Sequence, residues 1–228
     1  MILATTNLNN ISTAEISKLH QIYGNMGKRI DEKIIQSLCA RYLCHIILEN
    51  NIKCSGDGFV DIKAIEIKNT LNPIVKRQAD GSVALEEQGH NISMSHSGKG
   101  VLCGISTGNI GADIQIIKSY NQKIAKRYFS EQENQFICNS GNKDEAFSLI
   151  WSFKESIFKS GFVDKNTFWK NSQDETFSVI GESGIRDRLG FMENLENELV
   201  KPWIITRINE DFVITAICEK KEAILLAI

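Results

Sequence analysis

Residues 145–161 read EAFSLIWSFKESIFKSG. Placed at about 100° per residue, Ala146, Ile150, Phe153 and Ile157 form one apolar helix face, widened on one side by Phe147, Trp151 and Phe158, and Gly161 stands where the helix should stop. Upstream, NIGADIQII (109–117) alternates as a strand, with Ile110, Ala112, Ile114 and Ile116 on one side and Gly111, Asp113 and Gln115 on the other. Downstream, TFSVIG (176–181), PWIITRI (202–208) and FVITAIC (212–218) are strand candidates. Helix followed by strands also describes the first part of the chain. Residues 30–49 space Ile30, Ile34, Ile35, Leu38, Tyr42, Leu43, Ile46 and Ile47 as a long amphipathic helix. GFVDIKAIEI (58–67), HNISMSHS (90–97) and VLCGIST (101–107) follow as strands, the last two joined around Gly98 to Gly100. The repeated order predicts an α+β chain of two similar halves, 1–106 and 107–228, with no sequence identity evident between them.

The 228 residues are 42% apolar and 24% charged, enough for a packed core without disulfide staples. A net charge of −2 gives no reason to expect nucleic acid or an anionic membrane as partner, so an anion site must be built locally. The six cysteines include no C-x-x-C pair and mostly sit among apolar residues, as small hydrophobes do. MILATTNLNN has neither a basic start nor a long apolar run, and no stretch approaches a membrane span, so a cytoplasmic location is expected.

Three clusters bear on chemistry. Asp113 and Gln115 point the same way from one strand, and hard cations such as magnesium take carboxylate and amide oxygens. Taken alone, a D-x-Q is more often the solvated face of a half-buried strand. Opposite the apolar face of the 145–161 helix runs a strip of Ser148, Ser152, Glu155 and Lys159, which on spacing alone reads as exposed surface with an ordinary i,i+4 pair. Lys154 is the odd residue, since it falls among Phe147, Trp151 and Phe158, where a charge must snorkel out or meet an anion.

Together, IGADIQ (110–115) and, about forty residues on, WSFKESIFK (151–159) resemble the paired signature of the 4'-phosphopantetheinyl transferases, G-x-D-x-(E/Q) and W-x-x-K-E-(A/S)-x-x-K. SMSHSGKGVLCGI (93–105) and IAKRYFSEQE (124–133) resemble the Ser-His-Ser-Gly strand and the A-x-R-F-F-x-x-x-E segment of the Sfp-type branch of that holo-carrier-protein synthase superfamily. The likeness is good over about residues 90 to 162. It implies a single chain of two similar α/β halves with the site at their interface. The activity it implies is transfer of the phosphopantetheine arm of coenzyme A to a serine of an apo acyl or peptidyl carrier protein, with Mg2+ (or Mn2+), releasing 3',5'-ADP. Carried over by position, Asp113, Gln115 and Glu155 become metal ligands, and Glu155, Lys159 and Lys154 the catalytic groups. Lys159 and Lys154 then meet the phosphates, Ser95, His96 and Ser37 the 3'-phosphate region of coenzyme A, and Glu133 lies near the metal. A chain that closes its own site between halves implies a monomer.

Two departures stand out. Gln115 replaces the more usual Glu, removing a formal charge from the cation site, and Asn72 stands at a position that is usually basic, where Lys76 or Arg77 could substitute. The same residues leave room for two other readings, a magnesium-dependent pyrophosphate hydrolase acting on a nucleotide or coenzyme A, and a coenzyme-A-binding homologue with impaired catalysis. No G-x-S-x-G elbow, P-loop or dinucleotide fingerprint is present.

Overall fold

The computed structural model describes residues 2–23, 31–49, 75–77, 83–85, 90–173, 203–219 and 224–227. The strands expected at 58–67 and 176–181, and Asn72, lie outside them. In chain order the elements are β1 (Ile2–Asn7), α1 (Thr13–Tyr23), α2 (Glu32–Glu49), β2 (Val75–Arg77), β3 (Val83–Leu85), β4 (Asn91–Ser97), β5 (Gly100–Ser106) and β6 (Ile110–Ile116). They continue with α3 (Gln122–Tyr128), α4 (Glu131–Asn139), α5 (Lys143–Ser160), α6 (Lys165–Phe168), β7 (Trp203–Ile208), β8 (Phe212–Cys218) and β9 (Ile224–Ala227). The class is α+β.

Local chemistry fixes the helix ends. The Asp31 carboxylate accepts from Ile34 N at 2.9 Å ahead of α2, and Asn142 Oδ1 accepts from Glu145 N at 3.3 Å to start α5. Gly161, at φ 77°, closes α5 in the left-handed conformation that a glycine adopts without penalty.

Two sheets carry the architecture. One has the order β4-β5-β1-β9, with β9 parallel to β1 and the other pairs antiparallel; the second has the order β6-β8-β7. A short β2-β3 ribbon stands apart from them in pairing. The strand β5 is buried on both faces. Its Val101, Cys103 and Ile105 pack with Leu38, Leu43 and Ile47 of α2. Its Leu102 joins Leu3, Ile110, Ala112, Ile114, Ile214 and Ala216 between the two sheets. On the far side α5 covers the second sheet, and its Ile150, Phe153 and Ile157 pack against Phe129, Ile137 and Phe168. The layers therefore run α2, sheet, sheet, α5.

The strip of α5 expected to be solvated is so only at its end, where Glu155 and Lys159 are each a quarter exposed. Ser148, Ser152 and Ser156 are buried against the sheet. Ser152 Oγ lies 2.9 Å and Ser156 Oγ 2.6 Å from Thr215 Oγ1, and Ser148 Oγ accepts from Lys118 N at 3.0 Å. Small hydroxyl side chains let helix and sheet approach closely. At Gly111 the approach is so close that a side chain would collide with the carbonyl of Ser156 and the amide of Ser160.

The two sheets also meet along β4 and β6, both edge strands. An edge strand's outward N–H groups need partners. Here serines at every second position of β4 supply them: Ser93 Oγ accepts from Ala112 N at 2.9 Å and Ser97 Oγ from Ile116 N at 3.1 Å.

Candidate active site

Where β4, β6 and α5 converge, a cleft of about 300 Å³ is lined by Met94, Ser95, His96, Asp113, Ile114, Gln115, Trp151, Glu155 and Lys159. Strand alternation turns Asp113 and Gln115 toward α5 and leaves Ile114 facing the inter-sheet core. Helical spacing brings Glu155 and Lys159, one turn apart, to the same opening.

Asp113 is the centre. Ser95 Oγ donates to its Oδ1 at 2.6 Å, Lys159 Nζ donates to the same oxygen at 2.6 Å, and Lys159 also reaches Ser95 Oγ at 3.1 Å. The carboxylate is almost wholly buried, and its Oδ2 has no hydrogen-bond partner among the described residues. Lys159 lies farther, 4.0 Å, from Glu155 Oε2. Burial raises the pKa of Glu155 above the usual carboxylate range; Lys159 opposes the shift and the charge of Asp113 adds to it. His96, on the exposed side of β4, is pushed below its ordinary value by desolvation and then by Lys159 and Lys33, with Asp113 opposing.

The donors suit a hard divalent cation: two carboxylates, Asp113 and Glu155, and the amide of Gln115, whose Nε2 donates to Ile116 O at 3.3 Å and so leaves Oε1 as the atom available for ligation. A buried carboxylate oxygen without a partner is the atom that such a cation would satisfy.

Three residues from the sequence reading, Lys154, Glu133 and Ser37, are not in the lining of the cleft. Lys154 does not line the cleft. It is fully buried on the opposite side of α5, 3.0 Å from Glu133 Oε2, donating to Ser172 O at 2.7 Å and standing 6.0 Å from the Phe129 ring centroid. Its position among aromatic residues did require an anion, and that anion is a protein carboxylate. Glu133 is correspondingly remote from the cleft. Its Oε2 accepts from Ser130 N at 2.8 Å in the capping box of α4, so one oxygen both caps that helix and pairs with α5. Ser37 lies on α2, one turn beyond Lys33, where Gln36 Nε2 donates to Gly98 O at 2.6 Å and ties the helix to the β4–β5 turn. Lys33 was missed by the sequence reading, and its only sequence signal is its position one turn before Ser37. Trp151, read as core, is half-buried in the cleft wall and stacks on Trp169 at 5.5 Å between centroids.

Residues 109–217 match the model of the 4'-phosphopantetheinyl transferase superfamily, and this span contains Asp113, Gln115, Glu155 and Lys159. That match spans just under half of the chain. The chain's similarity to 4'-phosphopantetheinyl transferase gsp of Aneurinibacillus migulanus is 31% identity over 96 residues, 40% of each chain. To 4'-phosphopantetheinyl transferase Sfp of Bacillus subtilis (strain 168) it is 39% over 72 residues, 30% of this chain and 32% of the relative. To psf-1 of Bacillus pumilus it is 34% over 71 residues, 30% of each. The alignments thus span less than half the length of these relatives. Among the described residues, no helix is long and apolar enough to cross a membrane.

Proposed function

We propose that the protein transfers the 4'-phosphopantetheine arm of coenzyme A to a serine of an apo acyl or peptidyl carrier protein, releasing 3',5'-ADP. The observation that carries this reading is the meeting, at 2.6 Å, of Asp113 from the first motif with Lys159 from the second, beside Gln115 and Glu155 in one cleft. Asp113, Gln115 and Glu155 are the residues to hold Mg2+, or Mn2+, and the cation, when bound, supplies charge neutralisation for the diphosphate oxygens. Lys159 donates to the phosphate under attack. His96 lines the cleft and is the residue to meet a 3'-phosphate, with Lys33 close enough to act on its charge and Ser37 one turn along α2 from Lys33.

In the reaction the carrier serine Oγ attacks the β-phosphorus of coenzyme A. The bond from that phosphorus to the oxygen bridging to the α-phosphorus breaks, and the electron pair leaves with 3',5'-ADP. Glu155, directly or through a water, accepts the serine proton, and its raised pKa makes it a better base than a solvated carboxylate. Most of the catalytic effect comes from positioning and charge complementarity. Lys154 acts at a distance, by anchoring α5. The division into halves 1–106 and 107–228 goes with this reading, since β4 comes from one and β6 and α5 from the other, while β9 returns to the first sheet. A cytoplasmic monomer is the simplest form that it requires.

Intact-mass spectrometry of an apo carrier protein, incubated with this protein, coenzyme A and magnesium, tests the reading. One phosphopantetheine mass should be gained, and lost again with chelator or in Glu155→Ala. Hydrolysis of coenzyme A with no gain on any carrier would point instead to a pyrophosphate hydrolase.

A further inference from the structure

Lys159 has two electrostatic partners in reach, and it sits on one of them. Its Nζ is 2.6 Å from Asp113 Oδ1 and 4.0 Å from Glu155 Oε2, although both carboxylates border the same cleft. The hydroxyl of Ser95 fixes the arrangement from the other side, donating to Oδ1 while lying 3.1 Å from the ammonium. Gln115, at the third ligand position, adds no charge. With Lys159 in place the cluster of Asp113, Glu155 and Lys159 carries a net −1; with the ammonium withdrawn it carries −2. The side chain of Lys159 is a quarter exposed and its stem is flexible, so the ammonium can leave Asp113 without disturbing α5.

Resting on the transferase reading, we infer that Lys159 is a resident counterion of Asp113 that competes with the divalent cation in the free protein, and that the phosphates of coenzyme A draw it away. Binding of metal and of coenzyme is then synergistic. The ammonium held on Asp113 Oδ1 becomes a phosphate contact, and that oxygen, still hydrogen-bonded by Ser95, is opened to the cation beside Oδ2, which has no partner among the described residues. By linkage, the factor by which coenzyme A tightens metal binding equals the factor by which metal tightens coenzyme binding. Gln115 strengthens the dependence, since a Glu there would leave enough negative charge to hold the cation even with Lys159 present.

Titrating the full chain with Mn2+ alone, by calorimetry or by the electron-paramagnetic signal of the free ion, and again with saturating coenzyme A, tests this directly. An ammonium 2.6 Å from the carboxylate repels a cation approaching the same oxygen, so removing Lys159 should tighten Mn2+ binding by about tenfold or more. Lys159→Met, with Lys159→Gln as a second variant that keeps a polar side chain, should therefore bind Mn2+ alone more tightly than the wild type. Coenzyme A should tighten Mn2+ binding by a larger factor in the wild type than in either variant. The inference is overturned if both variants bind Mn2+ no more tightly than the wild type, or if coenzyme A produces the same factor in all three. If no form binds Mn2+ even with coenzyme A, the metal-site reading falls, and this inference with it.

Discussion

The cleft places unlike demands on individual residues. Glu155 is held in a site that disfavours its charge, with burial and Asp113 both pushing its pKa up. A group raised in this way stabilises the fold at low pH, where it is protonated, and that contribution is lost as pH rises through its folded-state pKa. Glu155→Gln, neutral at every pH, should raise the stability at pH 7 by about 1 kcal/mol, roughly 2–4 °C in melting temperature for a chain of this size, while abolishing the proposed transfer. A melt showing the variant equally or less stable would remove the idea that function is held here at a cost in stability. His96 has the opposite sign. Its folded pKa lies below the ordinary value, so its contribution is present above about pH 6.5 and is lost as pH falls through the folded value. An NMR titration should find His96 below its ordinary value in the free protein and higher once coenzyme A is bound. 3'-Dephospho-coenzyme A should leave it where it was, if His96 meets the 3'-phosphate; an equal rise with both ligands would assign it elsewhere.

Among the elements, α5 decides the most, because it is buried on both sides. Its apolar face was legible from the spacing of Ala146, Ile150, Phe153 and Ile157, and its end from Gly161. The other face was not, because a run of serines at four-residue intervals looks the same whether it meets water or a neighbouring backbone. Thr215, which satisfies two of those serines, is 63 residues from Ser152 and carries no mark of the partnership in the sequence. Strand β1 was equally hidden: ILATTN does not alternate, and only its pairing with β5 and β9 makes it a strand. Lys154 was legible as an anomaly but not as to its partner, because Glu133 belongs to another helix and looks like a capping residue, which it also is. Lys154→Met should remove the ammonium paired with the buried Glu133 carboxylate and cost about 3–5 kcal/mol in a urea melt. Lys154→Met combined with Glu133→Gln should recover part of that loss, since Gln still completes the capping box. An additive loss in the double variant would deny the pairing. Gly111→Ala tests the helix–sheet approach: backbone atoms of Ser156 and Ser160 cannot swing aside, so a loss of about 3 kcal/mol or more is expected, with the cleft distorted alongside.

At the scale of the whole molecule, the site exists because two sheets meet along β4 and β6 without pairing as strands. Direct ladder bonds would have fixed every residue of the seam and left no room for Asp113 to turn toward α5 and Ser95. Serine side chains hold the strands one side-chain length apart. Ser93 and Ser97 take the amides of Ala112 and Ile116, and between these contacts Ser95 takes the carboxylate of Asp113. The period-2 spacing of Ser93, Ser95 and Ser97 was visible in NISMSHS, but only the structure shows that the three hydroxyls cross to another sheet. The two anchors differ in burial, which predicts unequal effects. Ala112 is fully buried, so Ser93→Ala leaves its N–H without a partner or water and should cost about 1–3 kcal/mol. Ile116 is only half-buried, so water can replace Ser97, and Ser97→Ala should cost well under 1 kcal/mol. Hydrogen exchange resolved by residue would separate local from global effects: faster exchange at Ala112 in Ser93→Ala, extending to Asp113 and Gln115, is the outcome expected of a seam that holds β6 in place. Unchanged protection at Ala112, with stability intact, would mean that the inter-sheet core of Leu3, Leu102, Ile114 and Ile214 holds the halves together without the serines.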